Sequence, residues 1–253
     1  MSRAKKSAPG GSRSRDSRAL NAVGFDTATV DTVACAWRDG EVLHESQLGL
    51  SASGRPLHAT RLLEEVERAA AAAGGWEQVD LIAVGLGPGT FTGLRVGIST
   101  ARGLGVSLGL PLRGVCTLDA LAAGIAEAGA EATRLAVLDG WRGEVFAALY
   151  AADGARLWEP GVYRPEELAE RIAELEETPS VAGSGAVRFR HELARDGVQI
   201  ADDSDPVHRI AARHVCALAA AAKDPEPDGL APIYLRPPDA ERWRERDASQ
   251  RAK

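Results

Sequence analysis

The sequence predicts an α/β protein made of two halves that share one order of strands and helices. Two apolar runs that end in an acidic residue, at 20–26 and 134–139, open the two halves. Each run is followed by two more strand-like runs and then by apolar residues at helical spacing. A chain of 253 residues, 45% of them hydrophobic, is long enough to bury a substantial core in one domain or two coupled lobes.

The first half has the predicted order βββαβα. Its predicted strands cover residues 20–26, 32–37, 41–50 and 80–85, and its helices cover 57–73 and 92–108. The dipeptide Asp39-Gly40 is typical of a tight hairpin turn, so it joins the second strand to the third. Leucine, valine and alanine recur every three to four residues along the first helix, which indicates one buried face.

The second half repeats this order. Its predicted strands cover residues 134–139, 144–151, 155–163 and 180–182, and its helices cover 165–177 and about 186–195. Pro165 stands in a first helical turn, where its missing N–H costs nothing. Residues 109–133 join the halves and include a helix at about 117–128. A last helix at about 206–223 precedes a proline-rich tail. Three antiparallel strands with parallel crossovers, present twice, are typical of the two-lobed actin-like (ASKHA) fold.

Asp26 and Asp139 stand at equivalent places, each ending the first strand of its half. In actin-like folds these two turns face each other across a cleft and contact nucleotide phosphates and their metal, which is an inference from the fold alone. The alternative is that each aspartate caps its own turn.

The net charge of −6 is unevenly distributed. Residues 1–18 carry six basic and one acidic residue, and residues 239–253 carry five basic and four acidic residues, which leaves −12 for residues 19–238. An acidic body repels a polyphosphate, so we expect no tight binding to nucleic acid by this chain alone. Residues 1–18 predict a disordered basic tail, or alternatively a weak RNA-contacting arm, and 239–253 a flexible tail.

The chain shows no pattern for export, membrane insertion or metal binding. No apolar run long enough for a membrane helix is present, and the N-terminus lacks the apolar core of a secretory signal. The cysteines are widely spaced, which indicates a reducing cytoplasm and idle thiols: Cys35, Cys116 and Cys216. No HxxxH pair is present. We expect His58 at a helix start or on the surface, and His208 and His214 exposed on the last helix.

The segment from 85 to 97, GLGPGTFTGLRVG, is a tight turn between a buried strand and a helix. Gly87 and Gly89 permit a backbone path that side chains would block, and Pro88 stiffens it. Thr92 is placed to cap the helix through its hydroxyl. Free backbone N–H groups at this helix start are able to bind an anion by donating hydrogen bonds to it. The segment lacks the Lys-Ser/Thr pair of a P-loop, and it has no GxGxxG fingerprint.

Small residues recur every fourth position along the helix that follows, at Gly93, Gly97, Ala101, Gly105 and Gly109. A glycine inside a helix costs roughly 1 kcal/mol relative to alanine, so this stripe requires a compensating close contact. The stripe lies either against the chain's own sheet or against a helix of another subunit. The pattern favours neither alternative.

Several segments resemble the TsaB (YeaZ) family. GLGPGTFTGLRVGISTARGL is similar to that family's GPGSFTGLRIG signature. FDTATVDTVACAW, LAVLDGWRGEVFAALY, VAGSGA and PIYLRPPD resemble further family segments and follow in the same order over about residues 20–238. The sequence departs at Leu86, where relatives often have a polar or basic residue, and at Asp139-Gly140-Trp141-Arg142, where Asp-Ala-Arg-Arg is commoner. The second departure leaves nucleotide contact by Arg142 open.

The resemblance implies an actin-like fold and a role without chemistry of its own. Family members pair with TsaD, which carries the metal and transfers threonylcarbamoyl to the tRNA adenosine next to the anticodon. The ATPase TsaE joins them, homodimers form, and tRNA is reached only through the complex. We therefore expect no cofactor or metal in this chain, although ATP or ADP at the complex interface stays open. The implied lobes are 19–115 and 116–238, the last helix being free to pack on the first lobe.

The resemblance and the pattern together nominate three groups of residues. The expected partner interface consists of Leu62, Leu63, Val66, Gly93, Leu94, Val96, Gly97, Thr100, Ala101 and Gly105. The candidate phosphate contacts are Asp26, Thr27, Asp139, Arg142, Gly183 and Gly185. The turn motif consists of Gly87, Pro88, Gly89, Thr92, Gly93 and Arg95. The rival functions are an actin-fold ATPase or kinase that uses Asp26 and Asp139 with magnesium, and an RNA-binding module that uses residues 1–18.

Overall fold

The protein was analysed as a computed structural model that describes residues 19–130, 132–195, 197–222 and 230–236. Within these residues two sheets form, one of five strands and one of four. The basic tail at 1–18 and the tail at 239–253, both predicted from composition, lie outside the described residues.

The first sheet has the strand order β3-β2-β1-β4-β5. Its strands are β1 (Asn21–Asp26), β2 (Thr32–Arg38), β3 (Glu41–Leu48), β4 (Leu81–Gly85) and β5 (Leu112–Val115). β2 runs antiparallel to β1 and β3, whereas β1, β4 and β5 run parallel. The central strand β1 is buried at all six positions, as expected for a strand with both faces covered. Helices α1 (His58–Ala72) and α2 (Phe91–Leu108) belong to this half.

The second sheet has the order β8-β7-β6-β9. Its strands are β6 (Arg134–Asp139), β7 (Val145–Tyr150), β8 (Arg156–Tyr163) and β9 (Ser180–Ala182). As in the first sheet, two antiparallel pairs precede a parallel crossover. The helices of this half are α4 (Pro165–Ala173), α5 (Ser184–Arg188) and α6 (Arg190–Leu193).

The remaining helices, α3 (Thr117–Glu127) and α7 (Ala212–Ala221), lie between the two sheets. One buried cluster contains side chains from β1 and β2, from α3 and α7, and from β6 and β7. α7 packs on the first sheet, α3 on the second, and the two helices contact each other. A second cluster joins α1 and α2 to the outer face of the first sheet. A third joins α4, α5 and α6 to the outer face of the second sheet. The order of layers is helix, sheet, helix, sheet, helix.

The predicted duplication βββαβα is present in both halves, and four details differ from the prediction. The linker 109–133 contains the strand β5, which its sequence does not predict because Arg113 and Gly114 interrupt the apolar pattern. The helix predicted near 186–195 is two short helices that meet at Phe189. The helix predicted at 206–223 is a 3-10 turn, Pro206–His208, followed by α7. α4 ends at Ala173, before the predicted 177.

The histidines differ from expectation. His208 and His214, expected to be exposed, are both buried. His58 does begin α1 but is also buried, where its Nδ1 lies 2.8 Å from the Thr32 hydroxyl. The three cysteines are free and buried, as predicted. No helix among the described residues is both long enough and apolar enough to cross a bilayer.

Candidate functional site

The turn between β4 and α2 is built as predicted, except for its capping residue. Thr90, and not Thr92, is the N-cap of α2: its hydroxyl accepts a hydrogen bond from Gly93 N at 3.3 Å. Thr92 lies inside the first helical turn with an exposed side chain. The helix begins at Phe91 because Thr90 has the extended backbone that a cap requires. Gly87 has a φ of 93°, and the Gly87–Pro88 peptide is cis.

This turn is covered by the chain itself. Thr90 N donates to the Ala28 carbonyl at 2.8 Å, and the Thr27 hydroxyl donates to the Gly93 carbonyl at 2.7 Å. The turn that follows β1 therefore lies directly against the start of α2. An anion at this helix start would have to displace the Ala28 carbonyl oxygen.

Asp26 is fully enclosed at the end of β1. Its Oδ1 accepts from Ala28 N at 2.6 Å and its Oδ2 accepts from the Thr117 hydroxyl at 2.7 Å. Thr117 Oγ1 also accepts from Gly87 N at 3.1 Å. Burial raises the pKa of Asp26 to about 6, an effect that the two hydrogen bonds only partly oppose. Both carboxylate oxygens are thus used within the fold: Oδ1 holds the turn that follows β1, and Oδ2 connects β1 with α3.

Asp139, at the equivalent place in the second half, is less buried and forms an ion pair. Its Oδ2 lies 2.6 Å from Arg188 Nη1, and its Oδ1 accepts from Trp141 N at 2.9 Å. Trp141 and Arg142 both have φ near 60°, a left-handed conformation that is uncommon for residues other than glycine. Asp139 therefore caps its own turn, which was the alternative considered from the sequence.

The other candidate phosphate contacts are held within the fold. Thr27 is buried. Gly183 N donates to His208 Nδ1 at 3.1 Å, and a Cβ on Gly185 would lie 2.8 Å from the Leu138 carbonyl. Arg142 is exposed beside Trp141. Nucleotide contact by this set stays a prediction.

Four residues of the α2 stripe are buried, which corrects their assignment to a subunit interface: Gly93, Gly97, Ala101 and Gly105. The fifth, Gly109, is the exposed left-handed C-cap of the helix. A Cβ would lie 2.0 Å from the Thr27 carbonyl oxygen at Gly93, and 2.4 Å from Thr27 Oγ1 at Gly97. At Gly105 it would lie 2.7 Å from Leu112 Cδ2. The gain that offsets these glycines is close packing of α2 on β1, β4 and β5. Spacing alone was unable to identify the contacting surface.

Most of the other residues expected at the interface are also buried within the chain. Four of them belong to the core or are enclosed under α2, which corrects their assignment: Leu62, Val66, Leu94 and Ala101. Val96 and Thr100 are half-buried. Leu63, on α1, is 55% exposed and is the one member of the expected set with a largely free side chain.

A different face of α2 points outward. Val106 is 86% exposed, and Gly103 is exposed with no atom within 4 Å of the position a Cβ would take. α1 packs beside α2, so Leu63 and these two residues belong to the outer layer of the first half. We call Leu63, Gly103 and Val106 the outer helical face.

Residues 230–236 cross from the first half to the second. The Leu230 carbonyl accepts from Arg102 at 2.7 Å, and Ile233 N donates to the Leu86 carbonyl at 2.7 Å. Arg236 then reaches the second half, where it binds Glu144 at 2.7 Å and donates to the Gly140 carbonyl. From the sequence, PIYLRPPD is identifiable only as a family segment, because an extended strap without periodicity gives no signal of its partners.

Within the described residues, no group of three or more His, Cys, Asp or Glu side chains is arranged to hold a metal ion.

Comparisons with known proteins agree with this architecture. The family model for TsaD, tRNA N6-adenosine threonylcarbamoyltransferase, matches residues 54–202. The tRNA threonylcarbamoyladenosine biosynthesis protein TsaB of Escherichia coli is 29% identical over 228 residues, covering 86% of this chain and 95% of that protein. The chain belongs to the TsaB (YeaZ) family. The resemblance drawn from the Gly87–Gly97 turn is thereby confirmed.

Other relatives support the family and the fold. An uncharacterized protein of Mycobacterium tuberculosis is 36% identical over 184 residues, which cover 72% of this chain and 77% of that protein. YeaZ from Pseudomonas aeruginosa superposes with a TM-score of 0.69 at 28% identity, covering 85% of this chain and all of that one. This confirms the two-lobed actin-like α/β class. The chain spans only 40% of the length of an uncharacterized Mycobacterium leprae relative, at 37% identity.

Proposed function

We propose that this chain is a non-catalytic subunit of the machinery that adds threonylcarbamoyl to the tRNA adenosine next to the anticodon. Membership of the TsaB family supports a role in this tRNA modification, since two curated relatives are named for threonylcarbamoyladenosine biosynthesis. In this proposal the chain pairs with a TsaD-type transferase, recruits TsaE, and reaches tRNA through that complex.

The enclosure of Asp26 is the observation that carries the non-catalytic assignment. A carboxylate that positions a metal–phosphate group has to present at least one oxygen to solvent, because the ion and its waters occupy that side. Asp26 is 1% exposed, and each of its oxygens accepts a hydrogen bond from the protein. This arrangement suits a structural connector between β1 and α3 better than a phosphate-binding group.

The outer helical face supports a docking role. Gly103 occupies the interior of a helix, where glycine costs about 1 kcal/mol relative to alanine, and no contact within the monomer requires it. Val106, three residues further along α2, and Leu63, on the neighbouring helix α1, are exposed apolar side chains of the same outer layer. A partner helix that lies close to the α2 backbone at Gly103 would supply the missing contact. We infer that the TsaD-type partner occupies this face, and that a homodimer of this chain competes for it.

Nucleotide at the complex interface is part of the proposal. ATP or ADP would then be bound jointly with the partner, and this chain would hold no metal of its own. In this proposal such a nucleotide would meet Arg188, which pairs with Asp139, and Arg142 in the β6–β7 turn.

Reconstitution tests the proposed function. Purified chain, TsaD-type transferase, TsaE and a source of threonylcarbamoyl-adenylate are mixed with unmodified tRNA, and modified adenosine is measured by mass spectrometry. We expect modification to fall to background when this chain is omitted. Unchanged modification without it would refute the assignment.

The outer helical face is tested by matched variants in the same assay. Val106→Asp places a charge on the proposed interface and should abolish copurification of the TsaD-type partner and modification together. Leu157→Asp places the same charge on β8, where Leu157 is 53% exposed, and should change neither. Equal behaviour of the two variants would remove this face from the proposal.

The alternative hypothesis, an ATPase or kinase, makes a different prediction. If Asp26 and Asp139 held magnesium with ATP, the isolated chain would hydrolyse ATP and Asp26→Asn would abolish that turnover. Absence of measurable hydrolysis by the isolated wild-type chain would eliminate this alternative.

A further inference from the structure

A groove opens between α4 and α6 in the outer layer of the second half. Its volume is about 80 Å³, which is room for roughly five to eight water molecules. Two of the residues that line it are polar, Thr178 and Arg195. The others are apolar: Ala169, Ile172, Ala173, Leu175, Leu193 and Val198. We call this site the α4–α6 groove.

Exposed glutamates follow α4 along its length and beyond its end. None of them forms an ion pair with another of the described residues. The last three are each next in sequence to a residue that lines the groove, so they belong to its rim. The six are Glu166, Glu167, Glu170, Glu174, Glu176 and Glu177.

The arginine of α4 does not neutralise these carboxylates. Arg171 lies 4.4 Å from the centroid of the Trp158 ring and donates a 3.1 Å hydrogen bond to the Tyr163 hydroxyl. Arg195, which lines the groove, offsets one negative charge of the rim. The glutamates still outnumber it, so the rim attracts a cationic segment.

One stretch of the chain beyond the strap carries a tryptophan among arginines. Residues 242–246 read RWRER, and the other four tryptophans of the chain lie within the described residues. A tryptophan buries a large apolar area when a groove receives it, and guanidinium groups bind carboxylates in a bidentate geometry. Residues 1–18 are also basic but contain no aromatic residue. The chemistry of the groove therefore matches residues 242–246.

The strap brings the chain to the second half close to this groove. Tyr234 stacks on Phe91 of α2, with ring centroids 5.4 Å apart and planes tilted by 32°. Two residues later, Arg236 binds Glu144 at 2.7 Å in the second half. Trp243 follows Arg236 by seven residues, a span of up to about 24 Å in an extended chain.

Strand pairing places the groove within that span. Glu144 precedes Val145, which pairs with Tyr163 at the end of β8. Helix α4 begins two residues after Tyr163, at Pro165, and Ala169 lies one turn further along. These steps together cover about 22 Å.

We propose that residues 242–246 dock in the α4–α6 groove of the same chain. The Trp243 indole packs against the apolar side chains of the groove, and Arg242 and Arg244 bind the glutamates of the rim. The C-terminal segment then connects α2 in the first half with α4 in the second. The groove and the outer helical face belong to opposite outer layers of the molecule, so the inference is independent of the proposed function.

Photocrosslinking of the full chain locates the contact. The variant Trp243→p-benzoylphenylalanine is irradiated, digested and analysed by mass spectrometry. We expect crosslinks to residues 169–178 and 193–198. An equal mixture of isotope-labelled and unlabelled chains should give crosslinks within one copy, without pairs of mixed mass. Absence of crosslinks to these two stretches would overturn the proposal.

Two matched arginine substitutions test the groove itself. Ala173 and Ala72 are both exposed and each is the last residue of its helix, α4 and α1. A cation at a helix C-terminus is favourable, so both variants should fold. Ala173→Arg puts bulk and positive charge into the groove and should lower the crosslink yield more than about fivefold, the ratio that corresponds to 1 kcal/mol. Ala72→Arg should leave the yield unchanged, and equal yields from the two variants would exclude this groove.

Hydrogen exchange tests the docking without a crosslinker. Amides of residues 240–246 should exchange more slowly in the full chain than in a synthetic peptide of residues 237–253. Trp243→Ala should restore the rate of the peptide. Raising the salt concentration from about 0.05 M to about 0.5 M should speed the exchange in the wild type, because salt screens the charges of the rim. Exchange at the peptide's rate in the wild-type chain would contradict docking.

Two further outcomes would assign the segment elsewhere. Crosslinked pairs of mixed mass would place residues 242–246 on a second copy of the chain. Crosslinks that form only with the TsaD-type transferase present, and on that protein, would make the segment part of the partner interface. Either result overturns docking within one chain, whereas omission of the chain from the reconstitution assay tests the proposed function separately.

Discussion

The hydroxyl of Thr117 donates a 2.7 Å hydrogen bond to the carboxylate of Asp26, and the two residues are 91 positions apart in the chain. The same hydroxyl accepts from Gly87 N. One side chain at the start of α3 therefore joins the end of β1 to the turn that begins the family's signature motif. Asp26 remains enclosed because this connection closes over it.

The buried Asp26 carboxyl makes stability depend on pH. Its pKa is about 6 in the folded chain, above its ordinary value of 3.8, so the folded state binds the proton more tightly than the unfolded state. Stability contributed by this group is full below about pH 4, falls as the pH rises towards 6, and stays lower above that. The loss is of order 3 kcal/mol.

Asp26→Asn should remove this fall between pH 4 and pH 6. Urea unfolding of wild type and variant at several pH values measures it as the change in their stability difference. Leu157→Ala, which removes no titratable group, is the control, and it should follow the wild-type profile. If the stabilities of the wild type and of Asp26→Asn changed by the same amount between pH 4 and pH 6, the prediction would be contradicted.

Thr117→Val should destabilise the fold by about 1–3 kcal/mol. The variant has nearly the same shape but leaves Gly87 N without its acceptor and removes the donor to Asp26, both in buried positions. Thr117→Ser retains the hydroxyl and should lose less. Chemical denaturation of the two variants measures the difference, and equal stability of Val and Ser variants would be inconsistent with a role for the hydroxyl.

Two glycines of α2 should respond oppositely to alanine. At Gly97 a Cβ would lie 2.4 Å from Thr27 Oγ1, so Gly97→Ala should destabilise the monomer by about 1–3 kcal/mol through overpacking. At Gly103 it would meet open space, so Gly103→Ala should stabilise the monomer by about 0.5–1 kcal/mol through higher helix propensity.

Partner binding provides a second test of Gly103. Gly103→Ala should weaken copurification of the TsaD-type partner in spite of the gain in monomer stability, because its methyl group occupies the proposed approach of the partner helix. Thermal unfolding and copurification of the same preparations measure both properties. A Gly103→Ala variant that is less stable than wild type would show that this helical face is covered within the monomer.

The ion pair between Asp31 and Arg209 connects the first hairpin with the segment before α7. Arg209 donates to both carboxylate oxygens at 2.8 Å, and Asp31 is buried. Arg209→Met should cost about 1–3 kcal/mol, because Asp31 keeps only its bond from Gln47. Glu159→Gln breaks a surface ion pair whose carboxylate is 78% exposed and should cost less than about 0.5 kcal/mol. Urea unfolding compares them, and similar losses would argue against burial as the cause.

Much of the secondary structure is predictable from local pattern. Apolar runs such as 134–139 are long enough to identify buried strands, and a Thr-Phe-Thr-Gly turn before a helical pattern identifies the start of α2 within one residue. The strand β5 was missed because four residues that include Arg113 and Gly114 carry no alternation. Its existence depends on pairing with β4, which is a contact distant in sequence.

The sequence by itself determined the duplicated order of elements, the family and the presence of a small-residue stripe on α2, since these depend on residue types and spacing along one stretch of chain. Only the tertiary structure decided which face of α2 is free, that Asp26 is enclosed, and that Tyr234 meets Phe91. Periodicity defines a face but contains no information about what packs on it. Hydrogen bonds and ring contacts between residues far apart in the chain arise only when the sheets and helices assemble.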